Sequence, residues 1–123
     1  MGTINSYKDL IVWQRGMDLA VACYEITKDF PREEAYGLTS QIRRAAASVP
    51  ANIAEGHGRD GTGNYVQHLK IAQGSLKELE THLILSARVG LLDAVKADVV
   101  LMKSDEIGRM LRALIRNLQD GKK

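Results

Sequence analysis

The chain is poor in several things that would point to chemistry. It has one cysteine, two prolines, one phenylalanine and one tryptophan, and 5% of its 123 residues are aromatic. A lone thiol, Cys23, excludes an internal disulfide and a thiolate metal cluster within one chain. It lies in the apolar stretch 19–24, where a small buried hydrophobe is expected rather than a reactive thiol. Apolar runs last only a few residues, so no segment reads as membrane-spanning, and the polar residues 1–10 lack a signal-peptide core. A cytoplasmic location is the expectation. Charge of one sign is also scarce: the net charge is +2, with −2 over residues 1–36 and +2 over each of 37–92 and 93–123. Such mild polarity permits a nucleic-acid partner without demanding one.

What is present suits helices. The hydrophobic fraction is 45%, carried mostly by Ala, Leu, Ile and Val, and the length fits one domain, residues 1–123, with short disordered ends at about 1–6 and 119–123. Four segments repeat apolar residues at three- and four-residue steps, and none alternates with a period of two. The first, about 8–28, places Leu10, Trp13, Met17, Ala20 and Tyr24 on one face and ends before Pro31. The second, about 38–55, carries Leu38, Ile42, Ala45, Val49 and Ile53, with Thr39 or Ser40 available as N-cap. Pro50 interrupts its hydrogen bonding but not its apolar phase, which predicts a kinked helix running through the proline. The third, from Tyr65, runs Leu69, Ala72, Leu76, Leu79, Leu83, Ser86, a heptad-like seam that Ile71, Ile84 and Ala87 widen. Val89-Gly90-Leu91 reads as a glycine C-cap. The fourth, about 93–118, keeps the spacing through Val100, Ile107, Met110 or Leu111, Leu114 and Leu118. Short connections predict an all-α, antiparallel up-down-up-down four-helix bundle.

The run Tyr36-Gly37-Leu38-Thr39-Ser40-Gln41-Ile42-Arg43-Arg44-Ala45-Ala46, followed by Ser48-Val49-Pro50-Ala51-Asn52-Ile53-Ala54-Glu55-Gly56, resembles a known family. So do Asp9-Leu10-Ile11-Val12-Trp13-Gln14 and Ile71-Ala72-Gln73-Gly74-Ser75-Leu76-Lys77-Glu78-Leu79-Glu80-Thr81. The family is that of the four-helix-bundle proteins encoded by intervening sequences of bacterial 23S ribosomal RNA genes. The resemblance covers most of residues 7–92, while the loop Arg59-Asp60-Gly61-Thr62-Gly63-Asn64 departs from the family's serine/lysine loop. It implies a homopentamer with a history of ribosomal-protein naming. It also implies kinship with the accessory subunit of diversity-generating retroelements, a pentamer whose basic surface engages nucleic acid and a reverse transcriptase.

Catalytic and metal signatures are sparse. A di-iron bundle needs Glu-x-x-His on two helices, and no glutamate here has a histidine three residues later. Glu78 and His82, four apart, lack further partners, and His57, between two glycines, reads as a solvated loop residue. Neither Gly56-His57-Gly58 nor Gly61-Thr62-Gly63 carries the lysine of a phosphate loop. The expectation is a non-enzyme with no cofactor, no metal and no small-molecule substrate.

Three features remain. Arg44, Ser48, Asn52, Glu55 and Arg59 form a polar stripe on the second segment, either a solvated face, a ligand contact or a structural network with Glu78 and Glu80 as partners for Arg43 or Arg44. Gly74-Ser75, inside the strongest helix, costs about 1 kcal/mol of helix propensity at the glycine and implies close packing within the bundle or between copies. Near the C-terminus, Arg109, Arg112 and Arg116 lie at helical steps and Lys122 and Lys123 follow, either a solvated face or a phosphate-binding strip repeated around an oligomer. Without interleaved aromatics, such a strip would be indifferent to base sequence. An RNA- or DNA-backbone adaptor and a protein-interaction scaffold are the two readings that follow.

Overall fold

A computed structural model describes residues 4–59 and 61–121. The helices are α1, Ile11–Thr27; α2, Leu38–His57; α3, Thr62–Arg88; and α4, Ala94–Gln119. Short 3-10 turns at Tyr7–Asp9 and Arg32–Glu34 precede α1 and α2, and no strand occurs among the described residues. Each helix packs on two neighbours, in the cycle α1–α2–α3–α4–α1, with no backbone approach across the diagonals among the described residues. Gly16 meets Pro50 and Thr27 meets Arg43; Ser48 meets Ser75 and Gly56 meets His68; Leu76 meets Gly108 and Glu80 meets Ser104. In each of these three pairs the residue number rises along one helix as it falls along the other. The result is an all-α four-helix bundle.

The seams on α2 and α3 are buried as their periodicity predicts. Ile42, Ala45, Val49 and Ile53 face Leu69, Ala72, Leu76, Leu79 and Leu83 in one core, which α4 closes with Val100, Ile107, Leu111 and Ile115. A leucine or isoleucine fully removed from water there contributes about 1.5–3 kcal/mol. The broader face expected on α3 is narrower in fact: Ile71 and Ile84 are 44% and 43% exposed, and Val66 and Ser75 fill the flank instead. α2 continues through Pro50, whose ring packs against Gly16.

α1 turns a different face inward from the expected one. Val12, Gly16, Leu19, Cys23 and Thr27 are buried, the first four each one residue before a member of the predicted stripe, and Met17 and Tyr24 are 40% and 46% exposed. The true seam contains a glycine and a threonine, which hid it from an apolar count. Gly16 lets the helix close on Pro50, and the Thr27 hydroxyl donates to the Cys23 carbonyl at 2.8 Å, so neither weakens the seam.

The cap of α2 is likewise not the expected one. Gly37 is the N-cap residue, and the Glu34 carboxylate accepts from the Leu38 N–H at 3.1 Å, while neither Thr39 nor Ser40 caps. At the far end of α3, Gly90 adopts φ +83° and the Leu91 N–H reaches the Ser86 carbonyl at 2.9 Å, the expected glycine cap. No helix of the described residues is long and apolar enough to cross a membrane.

Candidate functional site

The polar stripe of α2 divides into separate clusters. Ser48 and Ser75 share a hydroxyl–hydroxyl hydrogen bond across α2 and α3, and the Asn52 amide donates to the Ser48 carbonyl at 2.9 Å and to its hydroxyl at 3.3 Å. One turn on, Arg59 donates to Glu55 at 2.6 Å, and His68 Nε2 lies 3.6 Å from the same carboxylate. The Arg59 hydrogen bond holds the Glu55 carboxyl below its ordinary range, and His68 acts in the same sense. Arg44 is exposed and has no partner among the described residues.

Arg43 does not meet Glu78 or Glu80. It turns to α1 instead: Nε donates to Thr27 Oγ1 at 2.9 Å, a terminal nitrogen to the Tyr24 carbonyl at 3.3 Å, and the guanidinium lies 4.5 Å from the Tyr24 ring centroid. Glu78 lies 3.6 Å from His82 on its own helix. Glu80 accepts from Lys77 at 3.2 Å and from the Ser104 hydroxyl of α4 at 2.6 Å. His57 sits in the last turn of α2, half-buried and edge-on to Tyr65 with centroids 5.6 Å apart, not in a solvated loop.

Gly74 separates two packing ideas. A Cβ placed on it would meet no atom within 4 Å, so close approach inside the protomer does not require the glycine. It borders a groove between α3 and α4 of about 380 Å³, walled by Lys70, Lys77, Glu80, Ser104, Gly108 and Arg112. Lys70, Ser104 and Gly108 escaped the sequence reading. A second mid-helix glycine, Gly108, some 30 residues on and bordering the same groove, was the one available signal.

Among the late arginines, Arg109 is paired with Asp105 at 3.1 Å. Arg112 and Arg116 are exposed with no carboxylate partner among the described residues. Lys122 and Lys123 lie outside the described residues. No group of three or more His, Cys, Asp or Glu that could hold a metal occurs among the described residues.

The fold is that of an all-α four-helix bundle whose apolar side chains meet in one core. The chain belongs to the 23S rRNA-intervening sequence protein family, whose model matches residues 8–113. A similar fold is seen in the crystal structure of a protein with unknown function from the S23 ribosomal protein family of Bacteroides thetaiotaomicron VPI-5482. It superposes with a TM-score of 0.77 at 23% identity, covering 85% of this chain and 98% of that one. No curated protein matches the chain.

Proposed function

We propose that the protein is a non-enzymatic, oligomeric helical adaptor that associates with the backbone of RNA. The observation that carries this reading is the exposed, uncompensated pair Arg112 and Arg116 on α4. They lie four residues apart, about 6 Å along the helix, and their charge is free to replace counterions on a polyanion. A single chain at +2 has little affinity for one. A homopentamer, the assembly that the resemblance implies, would carry about +10 and present the strip five times. Exposed Val21, Tyr24, Val95, Val99 and Met102 on α1 and α4 supply apolar surface of the kind that contacts between copies bury.

Titration of labelled RNA and duplex DNA into the purified protein, at rising salt and with mass measured by light scattering, tests the reading. Binding that weakens linearly in log salt, by an oligomer, is expected. No binding at micromolar protein, or binding indifferent to salt, refutes it. The exposed stripe Val95, Val99 and Met102 favours a second reading, a protein-interaction scaffold with solvated arginines. Replacing Arg112 and Arg116 by Ala separates the two, since only the adaptor loses RNA while keeping its mass.

A further inference from the structure

The groove between α3 and α4 has a sharper chemistry than the arginine strip beside it. Its volume, about 380 Å³, falls within the range of small-ligand sites, roughly 300–1,000 Å³. Two glycines open it. Gly74 has nothing within 4 Å of an added Cβ, and at Gly108 the nearest atoms are Leu76 Cδ1 at 3.8 Å and an Arg112 nitrogen at 4.0 Å. Neither glycine is demanded by contacts inside the protomer, so each is a helix interior left open over the same groove.

The charges along the groove are ordered. Lys77 is neutralised by Glu80 at 3.2 Å, and Arg109 by Asp105 at 3.1 Å. Lys70 and Arg112 have no carboxylate partner among the described residues. Lys70 at one end of the groove and the Arg112 guanidinium beside Gly108 therefore supply two free cations. The other end, about 15 Å along α3 by helical rise, carries the Glu80 carboxylate held by the Ser104 hydroxyl. Each carboxylate oxygen keeps acceptor capacity beyond the one bond it makes.

An acidic peptide would face repulsion at Glu80, and inorganic phosphate would use only the cationic end. A ligand with an anion at one end and hydroxyl or amine donors at the other satisfies both. We infer that the α3–α4 groove is a binding site for one nucleotide unit of an RNA strand. Its phosphate lies between Lys70 and Arg112, its sugar over Gly74 and Gly108, and its hydroxyl donors toward Glu80. This deepens the adaptor reading and rests on it for the source of the nucleotide. It adds a preference for RNA over DNA, because the 2′-hydroxyl is the donor that DNA lacks.

The test uses the full chain, with Lys70→Ala/Arg112→Ala, Gly74→Leu and Glu80→Gln as variants. Anisotropy of a labelled single-stranded RNA ten-mer and its DNA counterpart gives affinity. Amide shifts of Gly74 and Gly108 on adding adenosine 5′-monophosphate report the groove directly. The double variant and Gly74→Leu are expected to weaken RNA binding at least tenfold, with melting temperature and oligomer mass kept. Glu80→Gln is expected to bring RNA and DNA affinities together. If the wild type binds RNA and Gly74→Leu, which keeps Arg112 and Arg116, binds it equally well, the groove assignment is wrong and the adaptor reading survives. If RNA does not bind but the nucleotide shifts both glycines saturably, and not in Gly74→Leu, the groove stands and the adaptor reading falls. Loss of oligomer mass in Gly74→Leu overturns the assignment, because the groove would then be filled by a second copy. Should Gly74→Leu fail to fold, the Lys70/Arg112 variant and the amide shifts decide alone.

Discussion

A methyl group placed on Gly56 would fall 2.6 Å from Cβ of His68, and 3.2 Å from Cδ1 of Tyr65. α2 and α3 can approach at this corner only because α2 has no side chain there. The same substitution at two glycines should therefore act with opposite sign. Gly56→Ala gains helix propensity but overpacks, and is expected to lower stability by about 1–3 kcal/mol. Gly74→Ala meets no atom within 4 Å and should raise stability by up to about 1 kcal/mol. Urea unfolding of both variants at equal protein concentration checks the pair, and a loss of stability in both would show that something covers Gly74.

The difference between these glycines marks where sequence reading works and where it stops. α2 and α3 were legible because their seams are built of large aliphatics at regular steps, with no rival stripe. α1 carries two adjacent apolar stripes. The choice between them was made by Gly16 fitting Pro50 and by Thr27 bonding to its own helix, and both depend on the partner helix. The partners of Arg43 were hidden for a similar reason: one is a backbone carbonyl, which has no residue signature. Of the groove, Gly74, Glu80 and Arg112 stood out in the sequence. Lys70, Gly108 and Ser104 did not, because only the register of α3 against α4 brings them together.

Arg43 fastens the end of α1 to α2 through Thr27, the Tyr24 carbonyl and the Tyr24 ring. Arg43→Ala removes all three contacts, yet Thr27 Oγ1 keeps its bond to the Cys23 carbonyl, so no buried hydroxyl is orphaned. The expected loss is about 1–2 kcal/mol. Arg43→Lys should fall between Ala and wild type, because an ammonium has no planar fork to serve both acceptors and the ring. Equal stability of the Lys variant and the wild type would show that charge alone matters there.

Cys23 is fully shielded in the core, and burial pushes its thiol up to about 12 from an ordinary 9.0. The folded protein then keeps the proton that the unfolded chain gives up. Its contribution is fully present below pH 9 and is lost as pH rises toward 12. In that window the slope due to Cys23 is about 1.4 kcal/mol per pH unit. Unfolding free energies from pH 8 upward should fall more steeply for the wild type than for Cys23→Ala, where the comparison cancels the tyrosines and lysines. An aromatic disulfide reagent at pH 8 should label the thiol only after denaturation.

Asp105 and Arg109 form an exposed pair one turn apart on α4, 3.1 Å between charged atoms, at the edge of the groove. The pair itself adds little to stability, since both side chains are well solvated. Its effect on a polyanion should be larger, because a neutralised arginine releases no counterion. Asp105→Asn removes a negative charge and frees Arg109 to join Arg112 and Arg116. If RNA binds along this face, the variant should bind more tightly at low salt, and its log–log salt slope should steepen by about 0.7, the share of one extra single-strand phosphate. Adding Arg109→Ala to Asp105→Asn should return the slope to the wild-type value, which distinguishes a new phosphate contact from a general rise in net charge. Anisotropy titrations at four or five salt concentrations give the slope. An unchanged slope in Asp105→Asn would mean that Arg109 faces solvent in the complex and that the RNA path leaves α4 before reaching it.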